Sequence, residues 1–239
     1  MQNKEINDDS WYGNYIRDHY TNKKFKRDNI LLNKEVLFQY LSKKKCFINS
    51  LSRLNLNQKH SRIIDIGCGS SSDLIDLVSF GFNQKNLFGV DINKTDIDFG
   101  KKNYPLLNLS CQDASKLNFQ SGFFDLTFES TLFVQLNCND LSQSIAEEMI
   151  RITKKNGFLI IFDWRYGKPN NRKFTACNKK RIKKIFKVDQ CTKLVTIEKG
   201  MLIPPVGRFI SSNLNPIYFM IPKLFPYLVG QVGYILKKV

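Results

Sequence analysis

The chain has 239 residues, of which 42% are hydrophobic, enough to form the core of one domain with an addition on its substrate side. Its six cysteines form no CxxC pair and there are only two histidines, so neither a zinc site nor a disulfide framework is expected. Free thiols suit a reducing cytoplasm, and residues 1–9 carry no apolar signal core that would direct export.

The net charge of +16 is unevenly distributed along the chain. Residues 165–199 hold twelve Lys and Arg side chains against only Asp189 and Glu198. Such a run attracts a polyanion, a phosphorylated substrate or an anionic membrane surface. It is equally typical of a solvated helix in a chain that is rich in lysine and asparagine throughout. The charge alone does not decide between these interpretations.

In chain order, residues 1–59 are predicted to form a polar helical segment, with helical apolar spacing over residues 30–41. Strands are predicted at 62–66, 86–91, 106–111, 123–129, 157–163, 190–198 and 232–237, and helices at 71–80, 94–103, 140–153 and 175–186. Asp140 is the predicted cap of the third of these helices. Apolar runs such as residues 157–162 fit parallel strands that are covered on both faces.

The most informative segment is residues 62–72, where an apolar strand enters a turn that contains Gly67 and Gly69. A second apolar strand ends in Asp91, 22 residues after Gly69. This is the layout of a nucleotide-binding βαβ unit, because glycines let the backbone approach a ligand and the acid can accept hydrogen bonds from ribose hydroxyls. Ordinary tight turns also use glycine, so the acid at the strand end carries the prediction.

Two further carboxylates accompany this turn. Asp65 precedes the first glycine by two residues, where it would repel pyrophosphate but could accept hydrogen bonds from a cationic ligand. Asp113 follows the next apolar run, where an adenine amino group is expected. Three acids and a glycine turn without a phosphate-binding lysine favour S-adenosylmethionine, which carries an ammonium, a sulfonium and a ribose diol.

Taken together, these segments resemble the class I S-adenosylmethionine-dependent methyltransferases over residues 60–165. The matched segments are 65–69, 90–92, 112–114, 124–136 and 156–163. The resemblance implies a Rossmann-like, doubly wound α/β fold with a mostly parallel seven-stranded sheet and helices on both faces. It also implies binding of S-adenosylmethionine by Asp65, Gly67, Cys68, Gly69, Asp91, Ile92, Asp113, Ala114, Glu129 and Ser130. The family often has a third glycine where this chain has Ser71.

The resemblance also divides the chain into two parts. Residues 60–239 are expected to form the methyltransferase domain, with a substrate-side insertion at about 199–231. Residues 1–59 are expected to lie over the cofactor pocket, as such segments commonly do in the family. Tyr15 and Tyr20 would then contact the methionine carboxylate or the substrate, with half-buried helix aromatics as the alternative.

Methyl transfer from a sulfonium is an in-line displacement, and holding the nucleophile against the methyl group in a dry pocket supplies much of the rate. In sheets of this kind, active-site groups lie at the carboxyl ends of the strands. Asp163 is predicted to act as the base or to orient a hydroxyl, while Glu129 is a rival base or a ligand of the cofactor ammonium. Arg165 and Arg208 are predicted to recognise acceptor hydroxyls or phosphates, with a local ion pair and a surface charge as the alternatives.

A narrower resemblance covers residues 131–136, 162–165, 169–171 and 203–208. They are similar to a group of small bacterial methyltransferases commonly encoded among surface-polysaccharide and glycan assembly genes. This implies O-methylation of a saccharide hydroxyl that is free, nucleotide-linked or lipid-linked. The chain departs from the group at Asn170, where an arginine is typical, and it lacks the group's Arg-Thr-His element near the end.

Two other functions stay open. The basic run at 165–199 would suit an RNA methyltransferase, but the base-methylating motif with two prolines is absent at the fourth strand end and no cysteine follows a proline. A nucleic-acid partner is therefore not expected. A non-catalytic partner protein of methyltransferase fold, docking through its C-terminal aromatics, is the second alternative. The sequence does not predict an oligomeric state.

Residues 203–229 are rich in apolar and aromatic side chains but are interrupted by Pro216, Pro222, Lys223 and Pro226. No apolar stretch of about 20 residues exists there, which excludes a membrane-spanning helix in this segment. The first expectation is an insertion that covers the substrate pocket. The second is a shallow contact with the inner membrane, peripheral to an otherwise cytoplasmic protein.

Overall fold

The computed structural model of the protein describes residues 33–168 and 174–239. The strands are β1 Ile63–Ile66, β2 Leu87–Asp91, β3 Asn108–Cys111, β4 Phe124–Ser130, β5 Thr153–Trp164, β6 Thr192–Lys199 and β7 Gln231–Lys238. The α-helices are α1 Lys34–Leu51, α2 Ser72–Ser79, α3 Lys94–Asn103, α4 Asn139–Ile152, α5 Lys179–Ile185, α6 Pro204–Asn213 and α7 Ile221–Leu224. Short 3₁₀ turns occur at Gln84–Asn86, Phe133–Gln135, Asn215–Ile217 and Pro226–Leu228. Every strand predicted from the sequence is confirmed, as are the four helices predicted between residues 71 and 186.

The strands form one sheet in the order β3-β2-β1-β4-β5-β7-β6. β1 to β5 are parallel, whereas β7 runs antiparallel between β5 and β6. The chain order reverses at β1, where Ile66 lies between Val90 of β2 and Glu129 of β4. Ligands of open α/β sheets bind at such a reversal, outside the carboxyl ends of the strands. The predicted Rossmann-like, mostly parallel seven-stranded fold is confirmed.

Both faces of the sheet are buried. On one face, α4 and α5 pack against strand residues such as Ile64 and Ile161. On the other, the ring centroid of Phe47 on α1 lies 5.2 Å from those of Phe128 and Phe162. Strand side chains point alternately to opposite faces, so a sheet covered on both sides needs nearly continuous apolar strands, as the sequence has.

The start of α4 differs from the sequence-based prediction. Cys138 occupies the N-cap position with extended backbone and no capping side-chain hydrogen bond, so the prediction that Asp140 is the cap is wrong. Asp140 lies in the first turn of the helix. A carboxylate in the first turn still stabilises the helix, because the N-terminal amide groups carry partial positive charge.

The segment between β6 and β7, residues 200–230, closes on itself at its two ends. Leu202 forms a bridge with Val229, and the Ile203 amide donates to the Leu228 carbonyl at 2.8 Å. Pro204 and Pro205 begin α6, where a missing amide hydrogen costs nothing. Since Gln231 pairs with Trp164 at the end of β5, the segment leaves the sheet at the same edge as the carboxyl ends of the parallel strands.

Of the predicted N-terminal helical segment, the structure describes α1, which begins after an Asn33 cap. Tyr15 and Tyr20 lie outside the described residues. In the part of the chain that the structure does describe, no helix has the length and apolar character needed to cross a membrane.

Candidate functional site

The glycine turn after β1 has the backbone conformation that the sequence predicts. Gly67 and Gly69 have positive φ values of 76° and 49°, which glycine adopts without steric cost. The Gly67 and Cys68 amides both donate to the Val90 carbonyl, at 2.8 and 3.0 Å, so the turn is fixed to β2. A Cβ atom built at Gly69 meets nothing within 4 Å, so the turn leaves open space beside its backbone.

Ser71, in the place of the family's third glycine, also adopts a left-handed conformation, with φ of 71°. It occupies the N-cap position of α2 and makes no side-chain capping bond there. A non-glycine residue pays a steric cost in this conformation. The turn therefore keeps the geometry of the glycine-rich version although one glycine is replaced.

Asp91, at the end of β2, is tied to the turn through its carboxylate. One oxygen accepts from the Gly69 amide at 2.8 Å and the other accepts from the Asn93 amide at 2.8 Å. A carboxylate offers about four lone-pair positions, so these bonds leave room for a ribose hydroxyl. Burial raises the pKa of Asp91, an effect that these backbone hydrogen bonds oppose.

A cavity of about 780 Å³, part of it open to solvent, lies at the point where the strand order reverses. Its walls come from the turn, from the ends of β2 and β3, and from the loop after β4. Its lining includes Gly67, Gly69, Asp91, Ile92, Asp113, Ala114 and Ser130, all of them predicted cofactor ligands. Three residues of the loop, Thr131, Leu132 and Gln135, were not predicted as site residues and also line it.

Asp65 and Glu129 lie beneath this cavity rather than in its wall. Both are buried, and Asp65 Oδ1 and Glu129 Oε1 have no hydrogen-bond partner among the described residues. Burial raises the pKa of each carboxyl group well above its ordinary range, and neighbouring acids reinforce the effect. Buried oxygen atoms without partners are costly, so a site that holds two of them is suited to a cationic or proton-donating ligand.

Lys43 of α1 approaches this acidic pocket from the face that α1 covers. Its Nζ lies 2.8 Å from Asp73 of α2, and its charge lowers the pKa of Asp65 and of Glu129 against the larger effect of burial. The residues present therefore fit S-adenosylmethionine: a glycine turn with open space, a ribose-side acid at Asp91, and two buried acids for its cationic part.

Cys68 is part of the turn only through its backbone. Its side chain is buried, and a Cβ atom built at Gly89 would lie 2.8 Å from its Sγ. Cys68 therefore packs under the turn and its thiol does not line the cavity. A side chain at position 89 of β2 would have to displace Cys68 Sγ and the side-chain ends of Leu74 and Leu109.

Asp163 does not reach the cavity, which corrects the prediction that it is the leading base. It is fully buried, and one carboxylate oxygen accepts from the Val134 amide at 2.8 Å and from Cys177 Sγ at 3.3 Å. The other accepts from the Trp164 amide at 2.7 Å. Burial raises the pKa of Asp163 to about 7. With its oxygens engaged, Asp163 positions the loop after β4 instead of contacting an acceptor.

Arg181, which the sequence analysis did not single out, holds the same loop from α5. Its guanidinium donates to the Phe133 carbonyl at 2.9 Å and to the Leu136 carbonyl at 2.8 Å. It also donates to the Thr175 carbonyl and to Ser142 Oγ, both at 3.0 Å. The planar fork of arginine suits several fixed acceptors at once. One sequence signal was available. Arg181 is four residues before Ile185, so the two residues lie on the same face of the predicted helix, and an apolar residue on that face indicates that the face packs against the sheet.

The two arginines that were predicted to bind the acceptor do not line the cavity. Arg165 donates to the Val229 carbonyl at 2.6 Å and to the Pro226 carbonyl, so it ties β5 to the β6–β7 segment instead of lining the cavity. Arg208 is exposed on α6 and does not line the cavity either. Neither arginine therefore lines the cavity where the sequence predicts an acceptor contact, since Arg165 turns to the β6–β7 segment and Arg208 belongs to that segment.

The geometry at the strand reversal defines a class of protein: an S-adenosylmethionine-dependent methyltransferase domain of Rossmann-like fold. Comparison with known proteins agrees. Residues 57–203 match the family model described as a methyltransferase domain, and the chain belongs to that family.

Individual relatives are more distant. A demethylmenaquinone methyltransferase from Streptomyces avermitilis is 24% identical over 159 residues, which are 66% of this chain and 58% of that relative. The PH0226 protein from Pyrococcus horikoshii OT3 superimposes with a TM-score of 0.62 at 15% identity, covering 91% of this chain and 99% of that one.

A second solved structure superimposes as well. Geranyl diphosphate C-methyltransferase from Streptomyces coelicolor A3(2), in complex with Mg²⁺, geranyl diphosphate and S-adenosyl-L-homocysteine, also has a TM-score of 0.62, at 14% identity. The superposition covers 85% of this chain and 78% of that one. At these identities the structural likeness shows the fold.

Proposed function

We propose that the protein transfers the methyl group of S-adenosylmethionine to a saccharide hydroxyl. The observation that carries this proposal is the buried Glu129, whose Oε1 has no hydrogen-bond partner among the described residues. Glu129 lies beneath the cavity and directly precedes the cavity-lining Ser130. A hydroxyl has a pKa far above 7 and gains from a carboxylate that accepts or orients its proton, whereas a neutral amine does not need one. The sequence resemblance at 131–136 and 203–208 supports a saccharide in particular.

The residues around the cavity have separate roles in this proposal. The glycine turn and Asp91 hold the adenosyl part, and S-adenosylmethionine supplies an electrophilic methyl group when bound. Leu132 and the rest of the loop after β4 exclude water and hold the acceptor in line with that methyl group, where much of the rate arises. Burial raises the pKa of Glu129 well above its ordinary range, so its ionised form is a stronger base than a solvated glutamate.

Glu129→Gln separates the two roles that Glu129 could have. If Glu129 assists the acceptor, kcat should fall at least about a hundredfold while the Kd for the cofactor stays within about twofold. If Glu129 instead binds the ammonium group of the cofactor, the Kd should rise and kcat at saturation should change little. A matched control is Asp125→Asn. Asp125 lies near the other end of the same strand, where it pairs with Lys154 at 2.6 Å.

The acceptor itself can be tested with a panel. The protein is incubated with methyl-labelled S-adenosylmethionine and free sugars, nucleotide sugars or lipid-linked saccharides, and products are examined for O-methylation by mass spectrometry. An O-methylated sugar is the expected product. Labelling of RNA instead, or of none of the saccharides, would contradict the proposal.

A prenylated quinol is a second candidate acceptor, favoured by one observation. The curated relative that aligns with 66% of this chain is a demethylmenaquinone methyltransferase. Including a demethylmenaquinol analogue in the panel distinguishes the two, because its product would carry the methyl group on a ring carbon.

The basic residues within 165–199 support an RNA acceptor only weakly. Within the described residues of 165–199, Arg181 is directed at the loop after β4, Lys183 pairs with Asp189 at 3.3 Å, and Lys187 pairs with Glu147 at 2.8 Å. A run that forms internal contacts has fewer charges left for phosphates. An RNA arm of the panel, measured at low and high salt, tests this alternative.

A further inference from the structure

The β6–β7 segment presents an unusual concentration of exposed apolar side chains. Among the described residues, seven of the fifteen exposed large apolar side chains belong to it. They form what we call the apolar patch: Phe209, Leu214, Ile217, Met220, Leu224, Phe225 and Tyr227. Leu224, Tyr227 and Phe209 are exposed to 63%, 62% and 61%. A group of this size and exposure is typical of an interaction surface.

The local fold holds most of this patch together. Met220 and Leu224 are one helical turn apart, joined by a hydrogen bond from the Leu224 amide to the Met220 carbonyl at 3.2 Å. The rings of Phe225 and Tyr227 have centroids 6.0 Å apart. Tyr166, after β5, donates to the Tyr227 carbonyl at 2.9 Å. The apolar patch is therefore fixed to the sheet beside the end of β5.

The charge around the patch is net positive. Residues 200–230 contain no Asp or Glu, whereas Arg208 and Lys223 are exposed within them. Lys199 donates to the Pro222 carbonyl at 2.9 Å, and Lys45 of α1 lies 5.0 Å from the centroid of the Phe219 ring. α1, which packs against α6, also carries the exposed Glu35 and Lys34 at its first turn, which offset each other. The surface is apolar, aromatic and net basic.

From these observations we infer that the apolar patch and its cations bind the surface of an anionic lipid bilayer. Apolar and aromatic side chains enter the boundary between headgroups and acyl chains, and each nearby Lys or Arg adds attraction to anionic lipid. A second copy of the chain fits this surface less well. A two-fold interface would bring together two copies of the same net positive surface, which the repulsion of like charges disfavours.

The position of the patch gives the inference a consequence for the proposed function. The β6–β7 segment leaves the sheet at the edge that carries the cavity. A protein seated on lipid through this patch would have its cavity edge near the bilayer, where a lipid-linked acceptor is confined. This step rests on the proposed methyl transfer, whereas binding to lipid does not.

The test uses the full chain and vesicles of phosphatidylcholine with or without phosphatidylglycerol. We expect co-sedimentation with the anionic vesicles, weakened by high salt because the attraction is screened. Leu224→Glu and Lys223→Glu should each lower the partition coefficient at least about fivefold, by adding a charge that the anionic surface repels. Circular dichroism checks that each variant is folded.

Leu106→Glu is the matched control, because Leu106 is 54% exposed and lies before β3 at the opposite edge of the sheet. It should bind vesicles as the parent does. No binding to anionic vesicles at low salt, equal binding to neutral vesicles, or equal loss in the Leu106→Glu control would overturn the inference. So would sedimentation equilibrium that shows a dimer dissociated by Leu224→Glu without vesicle binding. The assay needs no acceptor, so its failure leaves the proposed methyl transfer untouched.

Discussion

Arg181→Ala should destabilise the protein strongly, because one side chain satisfies acceptors on three segments. Its guanidinium donates to four oxygen atoms: the carbonyls of Phe133, Leu136 and Thr175, and Ser142 Oγ. Removal leaves partly buried acceptors without a donor, each costing roughly 1 kcal/mol, for a total of about 3–4 kcal/mol. In a domain of this size that lowers Tm by roughly 10 °C. Arg181→Lys keeps the charge but not the planar fork, so it should lose about half as much.

Urea and thermal unfolding measure this effect, with Lys180→Ala as the control. Lys180 is the exposed neighbour on the same helix, and its removal should change the free energy of unfolding by less than about 0.5 kcal/mol. Since the loop after β4 lines the cavity, Arg181→Lys should also raise the Kd for S-adenosylmethionine several-fold by calorimetry. The reasoning would be refuted if Arg181→Ala lowered the free energy of unfolding by less than about 1 kcal/mol, or if Arg181→Ala and Lys180→Ala lowered it equally.

Two further variants test the carboxylates. Burial raises the pKa of Asp163 to about 7, so its stabilising effect is present at low pH and is lost as pH rises through that value. Asp163→Asn should remove part of this slope in thermal melts at a series of pH values, and an unchanged slope would contradict the assignment. Asp91→Asn should weaken cofactor binding at least about tenfold by calorimetry, because it removes a charged acceptor that also anchors the Gly69 amide. Asp98→Asn, an exposed change on α3, should leave that affinity intact.

The sequence alone predicts the sheet and the position of several residues that line the cavity, because their signals are local. Continuous apolar runs mark buried parallel strands, and the turn at Gly67 and Gly69 needs positive φ whatever surrounds it. Asp91 and Asp113 follow directly from the ends of such runs. Each of these residues is positioned by the strand that it ends or follows.

The acceptor side is different, because its residues are positioned by distant partners. Asp163 is withdrawn from the cavity by the Val134 amide and by Cys177, and Arg165 is directed to carbonyls more than sixty residues later. Nothing in their neighbouring sequence encodes those contacts. Arg181 was missed for a different reason. Its charge does not distinguish it from the surrounding lysines, and the only sign of its role is its spacing of four residues from Ile185.

The closed neck of the β6–β7 segment has a consequence for protein engineering. Leu202 and Val229 meet where the segment departs and returns, so an exchange of the residues between them would leave the pairing of β6 with β7 intact. The exchanged residues would also have to fit Arg165, Tyr166 and α1, which contact the present segment. A transplant at this neck therefore has to carry the matching residues of α1 and of the end of β5 with it.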